Sequence, residues 1–121
     1  MQASTEPDID LPATMAASYI TELGPAEAIH VGELPVPMSG PTDVLVSVEA
    51  VVVNPVDTFI RAGRYQTVTP FPFIVGRDLV GTVFHAPTGT GFTTGEHVWC
   101  NSLGHDGRQG SFAQFDPPLS R

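Results

Sequence analysis

Val51-Val52-Val53-Asn54-Pro55-Val56-Asp57-Thr58-Phe59-Ile60-Arg61-Ala62-Gly63-Arg64-Tyr65 decides how this chain folds. A β-branched run stops at Asn-Pro, a short amphipathic stretch carries Asp57 and Arg61, and Gly63 follows. Pro55 cannot donate to a sheet ladder and pushes Asn54 towards extended geometry, yet its fixed φ suits the first position of a helix. The stretch reads as a strand that ends where one or two helical turns begin, with Gly63 as their stop. Further back, Val44, Val46 and Val48 alternate with Leu45, Ser47 and Glu49 before a continuous Ala-Val-Val-Val run. That pattern predicts a strand over 44–53 passing from half-exposed to fully buried.

At 121 residues and 12.8 kDa there is room for one domain. Twelve Gly, twelve Pro and short Val/Ile-rich runs predict many brief strands joined by turns, a mainly β fold with one short helix. The net charge is −8; no Lys or Arg precedes Arg61, while nine of the thirteen acidic residues do. Without a basic patch the chain cannot grip a phosphate backbone, which argues against nucleic acid. A single cysteine, Cys100, allows no internal disulfide, so the cytoplasm is the expected compartment. The acidic N-terminus lacks the features of a signal peptide, and no apolar run approaches the ~20 residues of a membrane helix.

Residues 1–13 are polar, acidic and proline-containing, and read as a disordered lead-in. Strands are expected over 15–23, stopped by Gly24-Pro25, and over 28–35, ended by Pro35 and Pro37, the two forming a hairpin. Pro70 and Pro72 make 69–73 an extended loop. Further strands are expected over 79–84, 97–100 and 111–115, the last broken by Pro117-Pro118. Gly89-x-Gly91-x-x-x-Gly95 is one residue too long for a dinucleotide loop, and no apolar helix follows, so it reads as a turn. Trp99 and Phe112 read as core residues, and His30 and His85 as packed or half-exposed strand residues.

Three pieces stand in order: Asn54-Pro55-Val56-Asp57 with Arg61-x-Gly63-x-Tyr65; Gly76-Arg77-Asp78-x-x-Gly81; and Gly95-Glu96-His97-Val98-Trp99 followed by Gly110-Ser111-Phe112-Ala113. In that order the chain resembles the N-terminal, GroES-like catalytic domain of the medium-chain dehydrogenase/reductase superfamily, closest to its zinc-independent NADPH:quinone oxidoreductases. The resemblance implies a partly open β-barrel over 14–116, with 117–121 an atypical tail. It also implies hydride transfer from NADPH to a quinone or an α,β-unsaturated carbonyl without metal. Where zinc-dependent members place Cys and His, this chain has Asn54 and Arg77; Asn is a poor zinc ligand, and Arg, donor-only and cationic, is none. A metal set drawn from His97, Cys100, His105 and Asp106 is disfavoured, because an alternating strand sends His97 and Cys100 to opposite faces.

By the same resemblance Asn54 lies beside the nicotinamide, Asp57 is near the site, and Tyr65 faces the substrate pocket. Phe59 also lines that pocket, standing where many relatives carry a second Tyr. Each has a plainer reading: Asn54 as a turn residue before Pro, Asp57 as a helix cap or a partner for Arg61 one turn on. Arg77-Asp78 reads as a local ion pair, and Arg61 and Arg64 as solvated surface charges. In the family a Rossmann domain follows to hold the cofactor, whereas here Asp116-Pro117-Pro118-Leu119-Ser120-Arg121 departs from the expected β-rich continuation. The expectation is a substrate-side domain truncated before its Rossmann half, inactive alone, and completed by that half or a partner chain; a homo-oligomer is left open. The rival is a non-catalytic GroES-like binding or assembly module, or an inactive remnant.

Overall fold

Proline and glycine set the boundaries of the elements. In a computed structural model, which describes residues 11–37 and 41–117, the chain forms β1 (Thr14–Ile20), β2 (His30–Pro35), β3 (Leu45–Val52), α1 (Pro55–Ala62), β4 (Phe73–Ile74), β5 (Asp78–His85), β6 (His97–Cys100) and β7 (Phe115–Asp116). Pro55 opens α1 and Gly63 closes it at φ 83°, in the left-handed region where a Cβ is costly. The lead-in over 1–13 and the tail over 117–121 fall mostly outside the described residues. Of the lead-in, Ala13 is already tied to the hairpin, its carbonyl accepting from Val36 N–H at 3.1 Å.

Two antiparallel sheets result. β1 and β2 pair from Thr14↔Pro35 to Tyr19↔His30, the expected hairpin, and β4 adds to the other side of β1. The second sheet runs β6-β5-β3-β7. One short segment stitches the two together. Ser18 N–H donates to Phe112 O at 2.9 Å, Ala17 bridges Ala113, and Gln114 N–H reaches Ala16 O; Phe115 and Asp116 then pair with Ser47 and Val46. The sheets do not close, leaving the mainly β, partly open architecture with its single α-helix. The strand expected over 111–115 is shorter, because a tight turn from Ala113 N–H to Ser111 O at 2.8 Å interrupts it.

Apolar side chains fill three adjoining clusters. Val44, Val46, Leu79, Val83 and Leu103 form the core of the second sheet. Ile60 seats α1 on Ile20, Phe73 and Val75, and Met15, Ala17 and Ile74 complete the first sheet. These burials correct two expectations. β3 is buried at its start, not its end: Val51, Val52 and Val53 are 36%, 57% and 69% exposed. A run of valines implies burial on both faces only where a layer covers each, and among the described residues none lies over this end of the sheet. Trp99, expected in the core, is 71% exposed, because alternation along edge strand β6 turns Val98 and Cys100 inward and Trp99 outward.

Candidate active site

The end of β3 is where polar groups gather. Val52 pairs with Asp78 in the last step of the β3–β5 ladder, so Asp78 sits beside the chain just before Asn54. Asn54 Nδ2 donates to Asp78 Oδ2 at 2.8 Å, and Asn54 N–H donates to Asp57 Oδ2, also at 2.8 Å. One half-buried asparagine therefore bridges two carboxylates. The Asn54–Asp57 contact is the reach-back half of a capping box, satisfying a backbone donor at the start of α1. Asp57 is buried, and that burial pushes its carboxyl above the usual range; Asp78 adds to the rise, while the Asn54 N–H and the Arg77 charge oppose it.

The expected ion pairs are not made. Arg61 turns from Asp57 to Gly24, its Nε donating to Gly24 O at 3.0 Å while Gly24 N–H returns to Arg61 O at 2.9 Å. Arg77 does not pair with Asp78, whose carboxylate is on Asn54; Arg77 Nη1 is buried and meets no acceptor. Of the two readings of Asp57 the cap is thus directly visible. Asp57→Ala is expected to lower stability by about 1 kcal/mol, the usual worth of a helix cap, read as a shift in urea midpoint at unchanged slope.

Phe59 and Tyr65 lie on the outer side of α1 and in the turn after it, 44% and 42% exposed. Tyr65 N–H donates to Phe59 O at 3.2 Å, which keeps the two on one turn. On the other side of Asp78 an apolar groove of about 340 Å³ runs between Val51, Val52, Leu79, Val80, Trp99 and Cys100. Burial pushes the Cys100 thiol up, with Asp116 adding to the effect, and Cys100 Sγ donates to Asn101 O at 3.4 Å, so it stays a thiol rather than a nucleophile.

The donors present do not fit a three-ligand zinc centre. Asn54, Asp57, Arg77 and Asp78 offer an amide, a guanidinium and two carboxylates, and among the described residues no three His, Cys, Asp or Glu side chains converge to share a cation. The fit to a nicotinamide dinucleotide is partial. An amide fixed at a strand end beside exposed Val52 and Val53 suits the flat carboxamide-bearing ring. Among the described residues there is no cradle for the phosphates: Gly89, Gly91 and Gly95 take positive φ in the connector between β5 and β6, and no described helix follows them. Sequence reasoning missed the Asn54–Asp78 contact, for which the only signal was the register of β3 against β5.

The comparisons with known proteins agree with this architecture. Residues 40–115 match the family described as alcohol dehydrogenase GroES-like domain. The chain is 32% identical over 103 residues to a quinone oxidoreductase of Rattus norvegicus, covering 84% of this chain and 30% of that protein. It is 39% identical over 59 residues to the trans-enoyl reductase tndF of Aspergillus flavipes, covering 49% of this chain and 17% of the relative. A mycobacterial protein solved in complex with NADPH superposes with a TM-score of 0.68 at 29% identity, over 86% of this chain and 32% of the other. The chain thus spans less than a third of the length of these relatives. With two open sheets joined by one seam, a capped helix at the end of β3 and a family match over most of its length, the chain belongs to the alcohol dehydrogenase GroES-like domain family, the N-terminal domain of the medium-chain dehydrogenase/reductase superfamily.

Proposed function

We propose that this chain is the substrate-side domain of a cytoplasmic, zinc-independent, NADPH-dependent reductase of quinones or α,β-unsaturated carbonyls, and that it is inactive without a dinucleotide-binding half. The observation that carries this reading is Asn54, held at the end of β3 by Asp57 and Asp78, where other members of the superfamily could place a metal ligand. Asn54 hydrogen-bonds the nicotinamide carboxamide and fixes the ring against the strand end. When bound, NADPH supplies the hydride. Phe59 and Tyr65 form the wall on which a flat acceptor rests, and the Tyr65 hydroxyl donates to its carbonyl oxygen, with the chain's contribution being orientation and exclusion of water. The quinone oxidoreductase and trans-enoyl reductase relatives and the NADPH-complexed neighbour support the choice of acceptor and cofactor.

The partner implied is a Rossmann-type domain, supplied in the same polypeptide or by another chain. The test is NADPH oxidation with a simple quinone and an enone, by this chain alone and joined to the dinucleotide-binding domain of a related quinone oxidoreductase. Turnover is expected only in the joined protein, and Asn54→Ala should lower it roughly 10- to 100-fold by loosening the ring. A joined protein that folds, binds NADPH and reduces neither acceptor sinks the reading, and leaves the chain a GroES-like binding module.

A further inference from the structure

The side chain of Asn54 is two-faced: its amide carries an acceptor oxygen at one corner and a two-proton donor nitrogen at the other, and inversion of the group exchanges them. A partner that can only accept removes the ambiguity. The carboxylate of Asp78 is such a partner: Asn54 Nδ2 donates to its Oδ2 at 2.8 Å, so that corner of the amide is the nitrogen. Asp78 is itself fixed by the sheet, as the first residue of β5 and opposite Val52. The backbone of Asn54 is held independently, through its N–H to Asp57. Two carboxylates thus divide the work: Asp57 places the residue and Asp78 sets which way its amide faces.

We propose that Asp78 is a positioning residue that locks the Asn54 amide in one of its two orientations. The lock commits Nδ2 to Asp78 and leaves Oδ1 as the acceptor offered to a ligand, so the group it selects is a hydrogen-bond donor such as the NH₂ corner of a carboxamide, against which an inverted Asn54 would set NH₂ on NH₂. The identity of that ligand rests on the function proposed above; the lock itself does not. Asp78 acts through Asn54, on whose amide nitrogen its carboxylate rests.

The test is side-chain amide NMR on the 121-residue chain without cofactor. In the native chain one Nδ2 proton of Asn54 should be shifted downfield and slow to exchange. In Asp78→Asn, whose amide offers either corner, that proton should move towards the position of a solvated asparagine and exchange about tenfold faster, the loss expected for one charge-assisted hydrogen bond. The Asn54 backbone N–H, still on Asp57, should stay protected, which separates loss of the lock from loosening of the strand. Asp78→Glu should restore part of the shift. The proposal is overturned if the native Asn54 side-chain protons already exchange like those of free asparagine, a result that needs no variant to fold. It is equally overturned if Asp78→Asn leaves them unchanged. Failure here would leave the proposed reductase standing, whereas a joined protein without turnover but with Asn54 locked would sink the reductase and spare the lock.

Discussion

Gly76→Ala is expected to destabilise the chain by roughly 2–6 kcal/mol, from backbone strain and overpacking together. Gly76 has φ 108°, beyond where an L residue rests comfortably, and a Cβ there would run into the Phe112 ring and lie 2.6 Å from Ser111 Oγ. The backbone holds both neighbours close. Phe112 N–H donates to Val75 O at 3.0 Å and Ser111 N–H to Gly76 O at 3.3 Å, while Gly110 N–H donates to Ile74 O at 2.7 Å, so the 110–112 backbone lies directly on 74–76. Domains of this size have only about 5–15 kcal/mol of stability in total, so the loss is a large share of it and a urea midpoint will show it clearly. Gly89→Ala is the control: φ is 90° there too, but nothing lies within 4 Å. Urea unfolding should show the Gly76 variant far below the Gly89 variant; equal midpoints would mean that the close approach at Gly76 is not made.

The second large effect is a pH-dependent gain. Asp116 is 4% exposed, in β7 against β3, and burial raises its carboxyl to about 7 despite the nearby Arg108 charge. In the unfolded chain the same group ionises near 3.8. Between those values the folded state holds a proton that the unfolded state has lost, so stability falls as pH rises through the window. The whole loss is about 4 kcal/mol by linkage. Asp116→Asn keeps the shape and removes the proton, so the variant should gain on the native chain as pH rises, by roughly 2 kcal/mol between about pH 5.5 and about pH 8.5. That range also stays clear of the pI of 4.6, where a chain without net charge precipitates. A stability difference that does not change with pH would show that Asp116 is ionised in the folded state throughout.

Local chemistry made much of this fold legible. Pro55 and Gly63 bracketed α1, and the 89–95 glycines were read as a turn because no helix followed; β1, expected to run on to Gly24-Pro25, instead ends at Ile20. What sequence could not supply was the identity of distant neighbours. The valines of 51–53 are chemically core residues; their exposure depends on whether another layer crosses that end of the sheet. A register shift between Val48 and Ala50 also changes the phase of the strand midway, which strict alternation cannot anticipate. At the site, Arg77 and Asp78 are adjacent and opposite in charge, so pairing them was the local reading. The sheet instead gives Asp78 to Asn54, 24 residues earlier. Asp57 was legible as a cap because its partner is three residues away.

The seam between the sheets also governs the order in which the chain can assemble. Ala16 meets Gln114 across 98 positions of sequence, whereas β1 and β2 meet through the local connection over residues 21–29. Closing so long a loop is entropically costly and slow, so the hairpin forms early and the seam last. During synthesis the first hairpin therefore emerges from the ribosome and waits: β4 can cover the Tyr19–Ile20 end of the open edge of β1, but its Ala16–Ser18 part stays unpaired until residues 112–114 have followed. Over that interval it is open to pairing with another nascent copy, and slowing translation after β2 should increase aggregation more than slowing it after residue 116.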